Sequence, residues 1–171
     1  MVKTSQTNRQ MNRWMSRIWL LSLLPILLTS CQGDVVYERY MEIEAARWEY
    51  VKPITFDVEV KELGQKMDLY VNLRHTNDYP YANLWLKLFY YPPEGDPSPP
   101  TQQRLELKLA KANGKWIGSG LGTTISHEIK IKSDLVFNRT GVHSFTIQHD
   151  MREQVVPAID HVGLRLEKSE D

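Results

Sequence analysis

Residues Ile54–Val60 read ITFDVEV, in which four apolar side chains alternate with a threonine and two acids. Successive side chains of a β-strand point to opposite faces, so this alternation produces one apolar face and one polar face. We therefore predict a half-buried strand here. The same period of two recurs along the chain at Leu69–Leu73, Leu105–Leu109, Ile129–Ile131, Phe145–Ile147 and Val162–Leu166.

Turn signals separate these strands at fairly even spacing. Pro92–Pro100 holds five prolines, which cannot donate to a sheet ladder, and Asn113-Gly114 is a strong hairpin signal. Leu84–Tyr91 is more continuously apolar, which predicts a strand in the middle of a sheet. The pattern predicts an all-β fold of about eight antiparallel strands in a two-sheet sandwich, either immunoglobulin-like or jelly-roll-like.

The region before the first strong strand is less regular. Val35–Tyr37 suits an initial edge strand, whereas Glu38–Tyr50 is rich in Glu, Ala, Met and Arg and predicts either one short helix or an irregular turn. Trp48 is expected to cap the core. We predict a sandwich domain over residues 37–168 and a frayed tail over residues 169–171.

The N-terminus has the pattern of a bacterial lipoprotein leader. A basic stretch precedes the 11-residue apolar run Ile18–Leu28, which is too short to span a bilayer, since a helix needs about 20 residues. Leu28-Thr29-Ser30-Cys31 then has the form of a lipobox. We predict a signal peptide over residues 1–30, lipidation at Cys31 and a tether over residues 31–36. An uncleaved anchor is the alternative, and Met11 is a second possible start.

Cysteine content and charge restrict the classes of function. Cys31 is the single cysteine, so the domain must be stable without an internal disulfide. Four of the 21 basic residues and none of the 21 acidic residues lie in residues 1–30, which leaves a formal charge of −4 from Cys31 onward. A nucleic-acid binder needs a basic face, so nucleic acid is not an expected partner.

One connection, Arg74–Leu86, is dense in hydrogen-bonding and aromatic side chains. These side chains could bind a partner protein or a sugar ring, because they include an arginine guanidinium, amides, a carboxylate and aromatic rings for stacking. Turn chemistry with aromatic plugging of the sandwich end explains most of the same residues. The candidate binding residues are Arg74, His75, Asn77, Asp78, Tyr79, Tyr81, Asn83 and Trp85.

The lipobox and three further stretches, Tyr70–Leu86, Gly114–Gly122 and Asp160–Arg165, together resemble the GldH family of gliding-motility lipoproteins. The resemblance covers essentially the whole mature chain. It implies an envelope lipoprotein of Bacteroidota-type bacteria, associated with gliding and with the linked protein-secretion machinery. It implies no established enzymatic activity, cofactor or catalytic residue. What it carries over is lipidation at Cys31 and importance of the Arg74–Leu86 stretch.

The sequence contains none of the common catalytic motifs. The chain has no Gly-x-Ser-x-Gly elbow, no phosphate loop and no His-Glu-x-x-His pair, and its five histidines lack ligand-like spacing. We expect no catalytic residues, metal or cofactor. The first hypothesis is a non-catalytic motility and secretion component, anchored by lipid, expected at the outer membrane, and docking on other envelope proteins. The alternative is a carbohydrate-binding surface lipoprotein that uses Tyr79, Tyr81 and Trp85. The membrane leaflet and the oligomeric state are left open.

Overall fold

The structure, a computed structural model, describes residues 34–169. The predicted signal peptide, the lipobox with Cys31 and the last two residues lie outside this range. Within it, no helix is long and apolar enough to cross a membrane. The strands are β1 (Val35–Glu42), β2 (Arg47–Glu49), β3 (Ile54–Val60), β4 (Lys66–Thr76), β5 (Asn83–Tyr91), β6 (Thr101–Lys108), β7 (Ser119–Leu121), β8 (Thr124–Val136), β9 (Gly141–His149), β10 (Val155–Pro157) and β11 (Ile159–Lys168).

These strands form two antiparallel sheets and a small ribbon. The five-stranded sheet has the order β1-β11-β4-β8-β7, and the four-stranded sheet has the order β3-β9-β5-β6. Strands β2 and β10 pair separately with each other. The sheets pack face to face, so the predicted all-β sandwich is confirmed.

The strand order distinguishes between the two predicted sandwich types. Without β7 and the β2–β10 ribbon, eight strands remain, and the first pairs with the eighth, the second with the seventh, the third with the sixth and the fourth with the fifth. A long hairpin that is wrapped around a barrel produces this pairing, which is the jelly-roll arrangement. The domain is therefore a jelly roll and not an immunoglobulin-like sandwich.

The core lies between the sheets and follows the predicted alternation. Every second residue of Ile54–Val60 is buried, starting with Ile54, and the intervening residues are exposed. The opposite sheet contributes Leu69, Val71 and Leu73 together with β11 side chains that are at most 1% exposed. Trp48 is buried at 1% exposure, as predicted. The period-two pattern therefore identified the inner faces of both sheets.

Two boundaries differ from the sequence prediction. Glu38–Glu42 is not helical, because β1 continues to Glu42 along its partner β11, and only Glu44–Ala46 forms a single 3₁₀ turn. Strand β1 begins at Val35, two residues before the residue predicted to start the sandwich domain. At the other end, Ser169 is tied in, since its hydroxyl donates to Asp68 at 2.7 Å and its amide to the Lys66 carbonyl at 2.9 Å. Sheet pairing extends the domain at both termini.

The antiparallel pairing gives the sandwich two distinct ends. At the end where β1 begins, Val35 pairs with Glu167, and Lys168 with Met67. We call this the near end, because Cys31 precedes it by a few residues. At the opposite end, Thr76 pairs with Thr124. We call that the far end, and the connection 77–82 lies there.

Candidate functional site

The predicted binding stretch is divided among three elements. Arg74 and His75 lie near the C-terminal end of β4, whereas Asn83 and Trp85 belong to β5 in the other sheet. Only residues 77–82 form the connection, and within it Asp78 is exposed, with its amide donating to the Thr76 hydroxyl at 3.3 Å. The stretch therefore crosses the far end from one sheet to the other and does not form a single loop surface.

His75 is part of a buried histidine pair. Its Nδ1–H donates to the Thr76 carbonyl at 2.8 Å, so its Nε2 is the acceptor for His127 Nε2–H at 2.9 Å. Both rings are at most 4% exposed. Burial lowers the pKa of both, and burial together with the neighbouring His75 lowers the pKa of His127 to about 4. The pair is neutral at neutral pH and holds β4 to β8.

Aromatic rings close the far end above this pair. Trp116 lies 4.5 Å from the His75 ring, centroid to centroid, and its indole N–H donates to Asn77 Oδ1 at 3.1 Å. Tyr79 is 3% exposed, and its hydroxyl donates to the Asn83 carbonyl at 2.9 Å. Tyr81 packs edge-on against Tyr79 at 5.6 Å. His75, Asn77 and Tyr79 thus have structural contacts that explain their presence.

Trp85 lies on the outer face of the four-stranded sheet. The Arg104 guanidinium stacks 3.9 Å from its ring centre and also donates to Asp150 at 2.6 Å. The pKa of Asp150 is lowered by its hydrogen bonds to Lys87 and Arg104. Because Tyr79 is buried and Arg104 covers Trp85, the three aromatic rings proposed for sugar stacking do not form a shared platform.

The outer face of the five-stranded sheet carries a polar row at its far end. Paired residues of an antiparallel sheet point to the same face, so the register places five side chains next to one another on five successive strands. In strand order they are Glu42, His161, Arg74, Ser126 and Ser119. Nδ1 of His161 is buried without a hydrogen-bond partner among residues 34–169.

The next row of paired residues on the same face contains Tyr40, Gly163 and Asn72, and it holds the Arg74 side chain in position. Gly163 pairs with Tyr40 on one side and Asn72 on the other, and a Cβ on Gly163 would lie 2.9 Å from Tyr40 Cδ1. The missing side chain lets the Tyr40 ring lie over the sheet, where Asn72 Nδ2 donates to its hydroxyl at 2.9 Å. The Arg74 guanidinium then stacks over the Tyr40 ring at 4.5 Å. The glycine therefore determines where Arg74 is held.

Sequence reasoning identified Arg74 but not the residues around it. Tyr40, Asn72, Gly163 and Ser126 come from four different strands, and no local spacing links them. Stretches that carried the family resemblance supply two of these four residues, since Asn72 lies within Tyr70–Leu86 and Gly163 within Asp160–Arg165. Among the described residues, no three His, Cys, Asp or Glu side chains are placed to hold a metal ion.

The fold and the predicted leader together define a class: a jelly-roll domain with the sequence pattern of a lipoprotein signal before it. Comparison with known proteins identifies the family, because the GldH lipoprotein family model matches residues 35–166. The chain belongs to the GldH lipoprotein family, and its predicted resemblance is confirmed.

Two curated relatives agree with this assignment. The chain is 31% identical over 153 residues to the "Gliding motility lipoprotein GldH homolog" of Christiangramia forsetii, an alignment that covers 85% of this chain and 91% of the relative. It is 30% identical over 158 residues to the "Gliding motility lipoprotein GldH" of Flavobacterium johnsoniae, with 88% and 96% covered. The similarity therefore extends over nearly the full length of both relatives.

Proposed function

We propose that this lipoprotein is a non-catalytic docking component of the gliding-motility machinery and of the protein-secretion machinery linked to it. A lipid on Cys31 holds it in the cell envelope, at the outer membrane, and the jelly roll contacts other envelope proteins. Family membership supports the gliding-motility part of this proposal. The docking role rests on the position of the far end.

The main observation is that the predicted binding stretch crosses the far end of the sandwich, whereas the described chain begins at the near end, where β1 starts. Cys31 precedes the first described residue by three positions, and three residues span at most about 10 Å. Strand β1 then runs eight residues to the far end, which is about 25 Å at 3.3 Å per residue. The far end is thus the end of the domain opposite the start of β1, and we infer that it is the end available to other envelope proteins.

The charge of the mature chain favours the same role. From Cys31 onward the chain has a formal charge of −4, so its surface is not attracted to anionic lipid headgroups. Attachment then depends on the lipid at Cys31, since two or three acyl chains provide a stable anchor. The folded domain itself is free to contact other proteins.

The carbohydrate-binding alternative has less support. A stacking platform needs exposed ring faces, yet Tyr79 is buried and the Trp85 ring is in contact with Arg104. Of the three rings, only Tyr81 has neither of these restrictions. We therefore do not adopt this function.

The test is deletion of the gene in its own host, followed by complementation with matched variants. We expect deletion to reduce colony spreading or secretion, and wild-type complementation to restore it. Asp78→Lys, at an exposed far-end position, should restore less than Glu62→Lys, an equivalent charge change at an exposed near-end position. Normal spreading and normal secretion in the deletion strain would contradict the proposal. Equal complementation by the two variants would contradict a far-end docking surface.

A further inference from the structure

The Arg74 side chain lines a recess on the outer face of the five-stranded sheet. The recess is lined by Arg74, Ser119, Gly120, Thr124 and Ser126, which come from β4, β7 and β8. None of the three hydroxyl groups forms a side-chain hydrogen bond with any residue of the described domain. The recess therefore combines one positive charge with three unused hydroxyl donors.

Arg74 differs from Arg165 in its ion pairs. Arg74 and Arg165 are the two arginines within residues 34–169 that are partly buried; the others there are exposed. Arg165 pairs with Glu128 at 3.2 Å and also with Glu167. Arg74 has no carboxylate within 4.0 Å in the described part of the chain, although Tyr40 holds its guanidinium in place. Its charge is thus positioned but not neutralised.

We propose that this recess binds a carboxylate of a partner protein, an acidic side chain or a chain terminus. A guanidinium presents parallel N–H groups that match the two oxygens of a carboxylate, and hydroxyl donors complete the coordination. Stacking on Tyr40 fixes the fork before binding, so less side-chain entropy is lost.

The shape of the recess favours a carboxylate carried by a macromolecule. Sites for free small molecules enclose most of the ligand surface, whereas this recess lies open on the sheet face. A partly buried arginine that is held in position is instead typical of the residues that contribute most to protein–protein binding. This inference rests on the proposed docking function and names the chemistry of the contact.

The test converts the predicted contact into a covalent bond. In the full lipoprotein in its own cells, Arg74→Lys places a primary amine in the recess, and a water-soluble carbodiimide couples an amine to a carboxylate that touches it, with loss of water. Peptide mass spectrometry then locates the cross-link. Arg47→Lys is the matched control, because Arg47 is exposed on β2 and has no carboxylate partner within 4.0 Å in the described domain.

We expect a cross-link between position 74 and an acidic residue or C-terminus of another protein, about tenfold above the position-47 control. Coupling only to Glu38, Glu42 or Glu128 of the same chain would overturn the proposal, since Arg74 would then have an internal partner. Coupling to a small carboxylic acid would overturn the assignment to a protein.

A second measurement uses the wild-type protein, so the result does not depend on the substituted side chain. Phenylglyoxal modifies accessible arginines, and we expect Arg74 to react more slowly in intact envelopes than in purified lipoprotein, with Arg47 as the internal reference. Equal reaction rates, together with no cross-link above the control, would overturn the proposal.

Complementation separates the two proposals. If deletion impairs spreading or secretion but Arg74→Gln restores both fully, the carboxylate site is wrong and the docking function stands. If deletion has no effect on either, the docking function itself fails.

Discussion

Acidification should destabilise the domain through the buried histidine pair. His127 donates to His75 across β8 and β4, and its pKa of about 4 lies well below the ordinary 6.5. Between these two values the unfolded chain binds a proton at His127 that the folded chain does not. The effect of His127 on stability is therefore absent above pH 6.5 and becomes more destabilising as the pH decreases, until this loss is complete near pH 4.

The size of the effect follows from the separation of the two pKa values. Each pH unit in the window changes the free energy of unfolding by about 1.4 kcal/mol per proton, so His127 alone accounts for about 3 kcal/mol. Burial also lowers the pKa of His75, and this contribution has the same sign. The total is a large share of the 5–15 kcal/mol that is typical of domains, roughly a fifth or more.

The assay is urea unfolding of the mature chain carrying Cys31→Ala, from pH 7 down to pH 4.5. His127→Gln keeps a donor for His75 but removes the titrating group, so carboxylates that also titrate affect both proteins equally. Over this range we expect the free energy of unfolding of the Cys31→Ala protein to fall by about 2–3 kcal/mol more than that of the same protein with His127→Gln. Parallel curves would show that His127 does not contribute to the acid response.

Three further predictions concern other parts of the chain. Gly163→Ala should lower the free energy of unfolding by about 1–3 kcal/mol and displace Tyr40, because the new Cβ would lie 2.9 Å from its ring. Urea unfolding measures the first effect and tyrosine fluorescence the second, and an unchanged Tyr40 would contradict the packing argument. Asp150→Asn should cost about 1–2 kcal/mol, since its lysine and arginine partners lose their carboxylate at the sheet surface; a loss below 0.3 kcal/mol, roughly the error of urea unfolding, would show that the cluster contributes nothing. Cys31→Ala should abolish incorporation of labelled palmitate and release the protein from the membrane fraction; persistent labelling would place the lipid elsewhere.

Strand positions could be predicted from sequence because they depend on a local property. In Ile54–Val60 the alternation of apolar and polar residues matches the alternation of buried and exposed positions one for one. Asn113-Gly114 forms the predicted turn, with Gly114 at a φ of +79°. The helix alternative for Glu38–Tyr50 failed at Glu38–Glu42, where pairing with β11 outweighs the helical propensity of Glu and Met.

The candidate site was only partly predictable. Composition marked Arg74–Leu86 as unusual, but composition does not show which side chains are buried or which sheet each residue joins. His75 and Tyr79 are core residues, and Trp85 lies on the other sheet from Arg74. Tyr40 was not identified at all, because its role depends on a glycine more than 120 residues later, roughly the full length of the domain.

By itself, the sequence predicted the export signal and the lipid attachment site, and it determined the strand pattern and the family, all of which depend on residues close together in the chain or on overall similarity. Tertiary structure alone decided the jelly-roll pairing, the position of residues 77–82 at the end opposite the start of β1, and the row that brings Arg74 next to Ser126 and Ser119. The physical reason is that strand register is a long-range property. Hydrogen bonds between distant segments align side chains, and no segment read alone specifies its neighbours.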